Sequence, residues 1–204
     1  IIQKNLMVYA VTNKTNQDNL PKAKNLIWIK TNLADDHYSL PDDLDIVFHL
    51  AGDSSLGNNA EELGRLKETN ELLTKKLIQY LKLSNLKHFI YVSSISACEE
   101  CDEVFISEDN GYPISEYGFS KLRTEDIIKE ELKGHCPFTI FRPTALFGES
   151  HLGSIFELTN RINKGQFVIF GNGDNFTNFF YNLSKISPIL PLIGTPEILK
   201  KKKF

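Results

Sequence analysis

Five short apolar runs punctuate the chain: LMVYAVT (6–12), LIWIK (26–30), DIVFHLAG (45–52), HFIYVSS (88–94) and FTIFRPT (138–144). They are apolar on both faces rather than in alternation, which is the pattern of strands in a parallel sheet covered by helices on both sides. Between two of them, residues 59–83 place Leu63, Leu66, Asn70, Leu73, Leu77 and Leu81 at separations of three and four, predicting a helix with one buried stripe. A second helix is predicted over 115–133. Strand and helix in this order give an α/β fold with a doubly wound parallel sheet, whose binding crevice lies at the carboxyl ends of the strands. After Phe147 the pattern loosens: GNGD (171–174) signals a turn, and Pro188, Pro191 and Pro196 break up the tail.

The 204 residues are enough for one sizeable core with a small appendage. With 26 acidic against 23 basic side chains and a net charge of -3, the chain has no field to steer it to nucleic acid or an acidic membrane. A small molecule or another protein is the expected partner. Three cysteines, no apolar leader and no apolar run near 18 residues point to a reducing, cytoplasmic setting. Cys98 and Cys101 form a C-x-x-C, CEEC, but only Cys136 beside His135 offers further ligands, so no metal site is expected.

SEYGFSKLRTED (115–126) carries the candidate chemistry. On a helix, the separation of four between Tyr117 and Lys121 puts phenol and ammonium on one face, one turn apart. By spacing alone, a core-facing Tyr beside a solvated Lys is the better reading. The neighbouring segments reverse it.

In order, FHLAG, FIYVSS, YGFSK and FRPTALFG resemble the cofactor and catalytic segments of the extended short-chain dehydrogenase/reductase family, the NAD-dependent epimerase/dehydratase group. The match runs from residue 6 to about 184. The resemblance implies a Rossmann-like domain over 1–147, incomplete at its N-terminus, and a partial substrate-binding region over 148–204. It implies that Tyr117 is the general base and acid, that Lys121 favours its ionised form and holds the nicotinamide ribose, and that Ser94 bonds the reacting oxygen. Cofactor contacts carry over to Asn13, Lys14, Asn32, Leu33, Leu50, Ala51, Gly52, Ser93, Pro143 and Thr144, as well as Tyr117 and Lys121. Substrate contacts carry over to Ser94, Ala145 and Thr177. Asn70 matches an asparagine beside the family's active site, though a helix Asn bonding to a neighbouring strand fits nearly as well. His49 reads as a packed strand histidine.

The sequence departs from the family in four places. The opening strand and glycine-rich turn have no counterpart here; they are on the order of 20 residues. Their omission is preferred to a natural variant, because loss of a central strand would leave unpaired backbone groups in the core. Thr177 stands where nucleotide-sugar enzymes often carry an arginine for the diphosphate, and Asn13 and Lys14 stand where an Asp would hold the NAD ribose, so NAD and NADP both stay open. Ile95 and Ser96 replace the Asp and Glu that follow the catalytic position in 4,6-dehydratases, which disfavours dehydration. The expected function is NAD(P)-dependent epimerisation of a nucleotide sugar through a keto intermediate. A reductase or dehydrogenase, or a non-catalytic nucleotide-binding or scaffolding relative, remain as alternatives. The family's habit is a homodimer through the 59–83 and 115–133 helices, unless their leucines face the sheet.

Overall fold

The computed structural model describes residues 6–13, 20–35, 38–82, 84–98, 111–147, 154–167 and 179–181. The chain divides into two compact units, Ile1–Arg142 and Pro143–Phe204. In the first, strands β1 (Val8–Thr12) and β2 (Leu26–Lys30) pair in parallel, Val8 opposite Leu26. Strands β3 (Ile46–His49), β4 (His88–Val92) and β5 (Phe138–Phe141) form a second parallel sheet in the order β3-β4-β5, with Ile46 opposite His88 and Phe89 opposite Phe138. The apolar runs thus sit where the sequence places them, but the ladders stop short of the predicted ends. Residues 50–52, 93–94 and 142 leave the strands at their carboxyl ends, the side on which open parallel sheets bind ligands.

A helical stretch connects β3 to β4: α1 (Ala60–Leu66), a π turn (Lys67–Leu72) and α2 (Leu73–Leu81). Asn59 caps it, its side chain accepting from the Glu62 amide at 2.9 Å. The predicted stripe holds at Leu66, Asn70, Leu77 and Leu81 and fails at Leu63 and Leu73. Leu63 is 40% exposed and Leu73 half-buried, while Leu66, Asn70, Thr74, Leu77, Ile78 and Leu81 are buried. A π turn takes up one residue more than an α turn, so it rotates the following helix and brings Thr74 and Ile78 onto the face that simple periodicity assigns to Leu73.

Helix α3 (Glu116–Leu132) connects β4 to β5. Leu77, Ile78 and Leu81 of α2, Ile128 and Leu132 of α3, and Phe89 and Tyr91 of β4 form one core cluster with Leu40 and Leu86. Burying each large member contributes roughly 1.5–3 kcal/mol. These helix leucines therefore face the sheet, leaving Leu63 and Leu72 exposed. The Lys82 ammonium bonds the Glu131 carboxylate at 2.7 Å and ties α2 to α3 at the rim.

In the second unit, β6 (Ala145–Phe147) pairs in parallel with β7 (Phe179–Tyr181), and α4 spans Ser154–Asn163. The sequence reading names none of these elements; for β6 and β7 the reason is that three-residue strands carry almost no periodic signal. Among the described residues, no helix is long and apolar enough to cross a membrane.

Candidate active site

The start of α3 is fixed by two contacts. Ser115 caps it, its hydroxyl accepting from the Gly118 amide at 3.1 Å. Gly118 itself lies against the 3₁₀ turn Ile95–Cys98: a Cβ added there would stand 2.1 Å from the Ser96 carbonyl oxygen. Only glycine permits that approach. It sets Tyr117, half-buried in the first turn of the helix, beside the segment that carries Ser94. The Ser94 hydroxyl accepts from the Ser96 amide at 3.2 Å, and its carbonyl accepts from Ala97 at 3.1 Å. In the first of these bonds the hydroxyl is the acceptor, so its own proton is left for another partner.

Lys121 follows one turn after Tyr117, only 6% exposed. Its Nζ lies 5.2 Å from the centre of the Tyr91 ring and 5.8 Å from that of Tyr117, an ammonium held between two aromatic faces. Burial pulls its pKa down to about 8, while the Glu125 carboxylate works in the opposite direction. A Cβ at Gly52 would stand 3.1 Å from this Nζ and 2.9 Å from the Asn70 Oδ1, so the exposed main chain leaving β3 runs directly alongside the lysine.

Asn70 is the knot of this arrangement. It is buried in the π turn, where Oδ1 accepts from the Asp53 amide at 2.7 Å and Nδ2 donates to the Asp53 carbonyl at 3.1 Å and the Ser120 hydroxyl at 2.9 Å. Ser120 in turn donates to the Tyr117 carbonyl at 2.8 Å. One side chain thus joins the loop after β3 to the first turn of α3. Below it, the Thr74 hydroxyl donates to the Asn70 carbonyl at 2.6 Å, which leaves His49 Nε2, 2.8 Å away, as the donor to Thr74. His49 is stacked on Tyr91 at 5.6 Å; burial first, and the Lys121 charge second, lower its pKa to about 4. It is a neutral packing residue.

The other candidate positions fall into distinct groups. Leu50, Ala51 and Gly52 are exposed at the end of β3. Asn13 and Asn32 are exposed beyond the paired ends of β1 and β2, and Leu33 is half-buried. The Asn32 side chain closes its own loop, accepting from the Ala34 amide and donating to Asp35, both at 3.1 Å. Ser93 is buried, and its hydroxyl is taken up by Glu125 at 2.6 Å. Pro143, Thr144 and Ala145 are half-buried in the second unit. Lys14, Cys101 and Thr177 lie outside the described residues.

The family model for the NAD dependent epimerase/dehydratase family matches residues 1–182. The chain belongs to that family. It is 29% identical over 156 residues to the UDP-glucose 4-epimerase of Vibrio cholerae, covering 74% of this chain and 47% of that one. It is 28% identical over 112 residues to the N-acetyl-alpha-D-glucosaminyl-diphospho-ditrans,octacis-undecaprenol 4-epimerase of Escherichia coli O157:H7, covering 53% of this chain and 34% of the relative. Among solved structures, the UDP-N-acetylglucosamine 4-epimerase of Methanobrevibacter ruminantium M1 in complex with UDP-N-acetylmuramic acid aligns with a TM-score of 0.68 at 27% identity, over 86% of this chain and 61% of that one. The chain spans between a third and two thirds of the length of these relatives. As a member of this epimerase/dehydratase family, it has an α/β Rossmann-type fold with parallel strands. Tyr91, Glu125 and Arg142, which the sequence reading passes over, belong to the surroundings of Lys121. The i,i+4 spacing of Lys121 and Glu125 is a signal that points to Glu125.

Proposed function

We propose that the protein is an NAD(P)-dependent 4-epimerase of nucleotide sugars, working through a transient keto sugar. The observation that carries this reading is the placing of the Lys121 ammonium over the Tyr117 ring, on the helix turn that Gly118 presses against the Ser94–Ser96 segment. A phenol is a poor base near neutrality, and a positive charge beside it favours its ionised form. Tyr117 Oη then takes the proton of the sugar 4-hydroxyl while the carbon loses its hydride, and returns the proton after the keto sugar has turned over. Ser94 holds the reacting oxygen through its hydroxyl. No further carboxylate is needed, in contrast to a dehydratase.

The residues present fit a dinucleotide. The lack of a Cβ at Gly52 lets the main chain close on Asn70 and Lys121, and the exposed backbone of Leu50, Ala51 and Gly52 beside that lysine is open to a ribose. Leu50 to Gly52, Lys121 and Tyr117 would hold the nicotinamide end, and Asn13 and Asn32 the adenosine end. When bound, the cofactor accepts the hydride and gives it back to the opposite face of the sugar. The family's name favours NAD, while Asn13 in place of an acid would also admit NADP.

Two relatives differ in the carrier of their sugar diphosphate, one a nucleotide and the other a polyprenol. The test is incubation of the intact gene product with UDP-sugars and with a polyprenyl-diphosphate sugar, each with NAD or NADP. Conversion of a UDP-sugar to its 4-epimer without net cofactor consumption supports the reading. Stoichiometric consumption would make the protein a reductase, and turnover confined to the lipid-linked sugar would move the substrate class.

A further inference from the structure

A second buried polar cluster lies one helical turn beyond Lys121. Glu125 is 1% exposed, its Oε1 accepting from the Ser93 hydroxyl at 2.6 Å and from Arg142 Nε at 2.8 Å, and its Oε2 accepting from Arg142 Nη2 at 2.5 Å. The bidentate carboxylate pushes the Arg142 guanidinium above its ordinary pKa. Three elements meet here: the end of β4 next to Ser94, the end of β5, and the face of α3 that carries Lys121. An ion pair this deep is not in itself a source of stability, since an apolar pair of similar volume often does as well or better. Its position suggests another use. Residues four apart on a helix share a face, and Lys121, stripped of water between Tyr91 and Tyr117, has Glu125 as the acidic group acting on it.

We propose that Glu125 is a positioning residue for the proton-transfer pair: locked from behind by Arg142 and Ser93, its carboxylate fixes a negative charge one helical turn from the buried Lys121 ammonium and keeps it charged beside Tyr117. The inference rests on the roles given to Tyr117 and Lys121 above. The groups facing Lys121 from the surrounding elements do not supply this charge. From β4 comes the Tyr91 ring, from β3 the neutral His49, and from the loop after β3 the main chain of Gly52 and the amide of Asn70. Asp53, on the same loop, is engaged by Ser55 and Arg65. Without a carboxylate at 125, desolvation would act on Lys121 unopposed, and Arg142 would add to it.

The test reads the lysine itself. In the intact protein labelled with 15N-lysine, the titrating Nζ signal that vanishes in Lys121→Met is followed against pH. Glu125→Gln should lower its midpoint by about one pH unit, a tenfold loss of proton affinity. Arg142→Gln, which leaves the carboxylate uncompensated, should raise it. An unchanged midpoint in Glu125→Gln, or movement of both variants in the same direction, would overturn the proposal. If Glu125→Gln does not fold, the sign of the Arg142→Gln shift decides alone. The readout needs no turnover, so an inactive wild type would count against the proposed reaction and not against this role. In an active enzyme, the alkaline limb of kcat should move down with the Lys121 midpoint in Glu125→Gln, whereas a loss of packing alone would lower kcat equally at every pH.

Discussion

Gly118 and Ser96 meet so closely that the space for a Cβ on the first is filled by the carbonyl oxygen of the second, 2.1 Å from where that carbon would be. This contact between the first turn of α3 and the turn after β4 sets where Tyr117 stands relative to Ser94. Gly118→Ala must push the helix away. It should cost about 1–3 kcal/mol in thermal or denaturant unfolding, as overpacking does, and, on the proposed role of Tyr117, its displacement should cost turnover more than tenfold. Gly64, in α1 with open space around it, is the control. Gly64→Ala should stabilise by about 0.5–1 kcal/mol with turnover unchanged.

The role of the phenol is separable from that of the ammonium. Tyr117→Phe keeps the ring on which the Lys121 charge rests and removes only the proposed proton carrier, so turnover should vanish while NAD affinity, measured by calorimetry, is retained. Lys121→Met should lose both. Equal activity in the Phe variant would remove Tyr117 from the mechanism.

Lys121 also predicts a stability profile. Its folded pKa near 8 lies below the unfolded 10.5, so between these values the unfolded chain holds the extra proton and stability rises with pH. Below pH 8 the full penalty is present, on the order of 3 kcal/mol. Lys121→Met should therefore unfold at higher denaturant than wild type at pH 7, and the gap should close by pH 10.5. A gap constant across that range would show that the lysine is not desolvated as the structure places it.

Much of this was legible in the sequence. All five strands of the first unit were readable because runs such as FIYV and FTIF are apolar on both faces, and a helix was expected over 115–133, where α3 lies. The Tyr117–Lys121 pair was visible from spacing, though its meaning came from four motifs in order. What escaped had a physical reason. The π turn at 67–72 shifts the buried face without altering the count of leucines, so Leu63 and Leu73 were assigned to the core in place of Thr74 and Ile78. Glu125 was missed because charged residues on a helix are ordinarily solvated, and its partner Arg142 lies 17 residues away, just past the end of the next strand. The same π turn explains Asn70, read from sequence as either an active-site neighbour or a strand clamp: at that bend its amide reaches Asp53 and Ser120 together.

Asn70→Leu would fill the same space but leave the Asp53 amide and carbonyl and the Ser120 hydroxyl without their partner. The expected cost is about 2–4 kcal/mol in unfolding, from more than one buried polar group left unpaired. Because the loop carrying Leu50 to Gly52 is released while Tyr117 and Lys121 keep their own helix, NAD affinity should fall more than kcat. Asn70→Asp, which keeps the acceptor for Asp53 N–H but loses both donations, should fall between wild type and Leu. A variant that lowered kcat alone would place Asn70 in the chemistry rather than in the scaffold.

Acid should unfold the protein through His49. Its folded pKa of about 4 lies below the ordinary 6.5, so between those values the unfolded chain binds the proton that the folded one refuses. Stability should rise as pH goes from 4 to 6.5 and be full above that window, with a penalty on the order of 3 kcal/mol below pH 4. His49→Phe has no proton to bind and stacks on Tyr91 equally well, at the cost of the bond to Thr74. Compared with wild type it should be weaker by about 1 kcal/mol at pH 7. It should lose less stability on acidification, so that the two urea midpoints converge and then cross as the pH falls below 6.5. Parallel curves for the two proteins between pH 7 and 4 would mean that His49 titrates as it does in water, and that the packing drawn around it, with Thr74 as acceptor and Lys121 close by, is wrong.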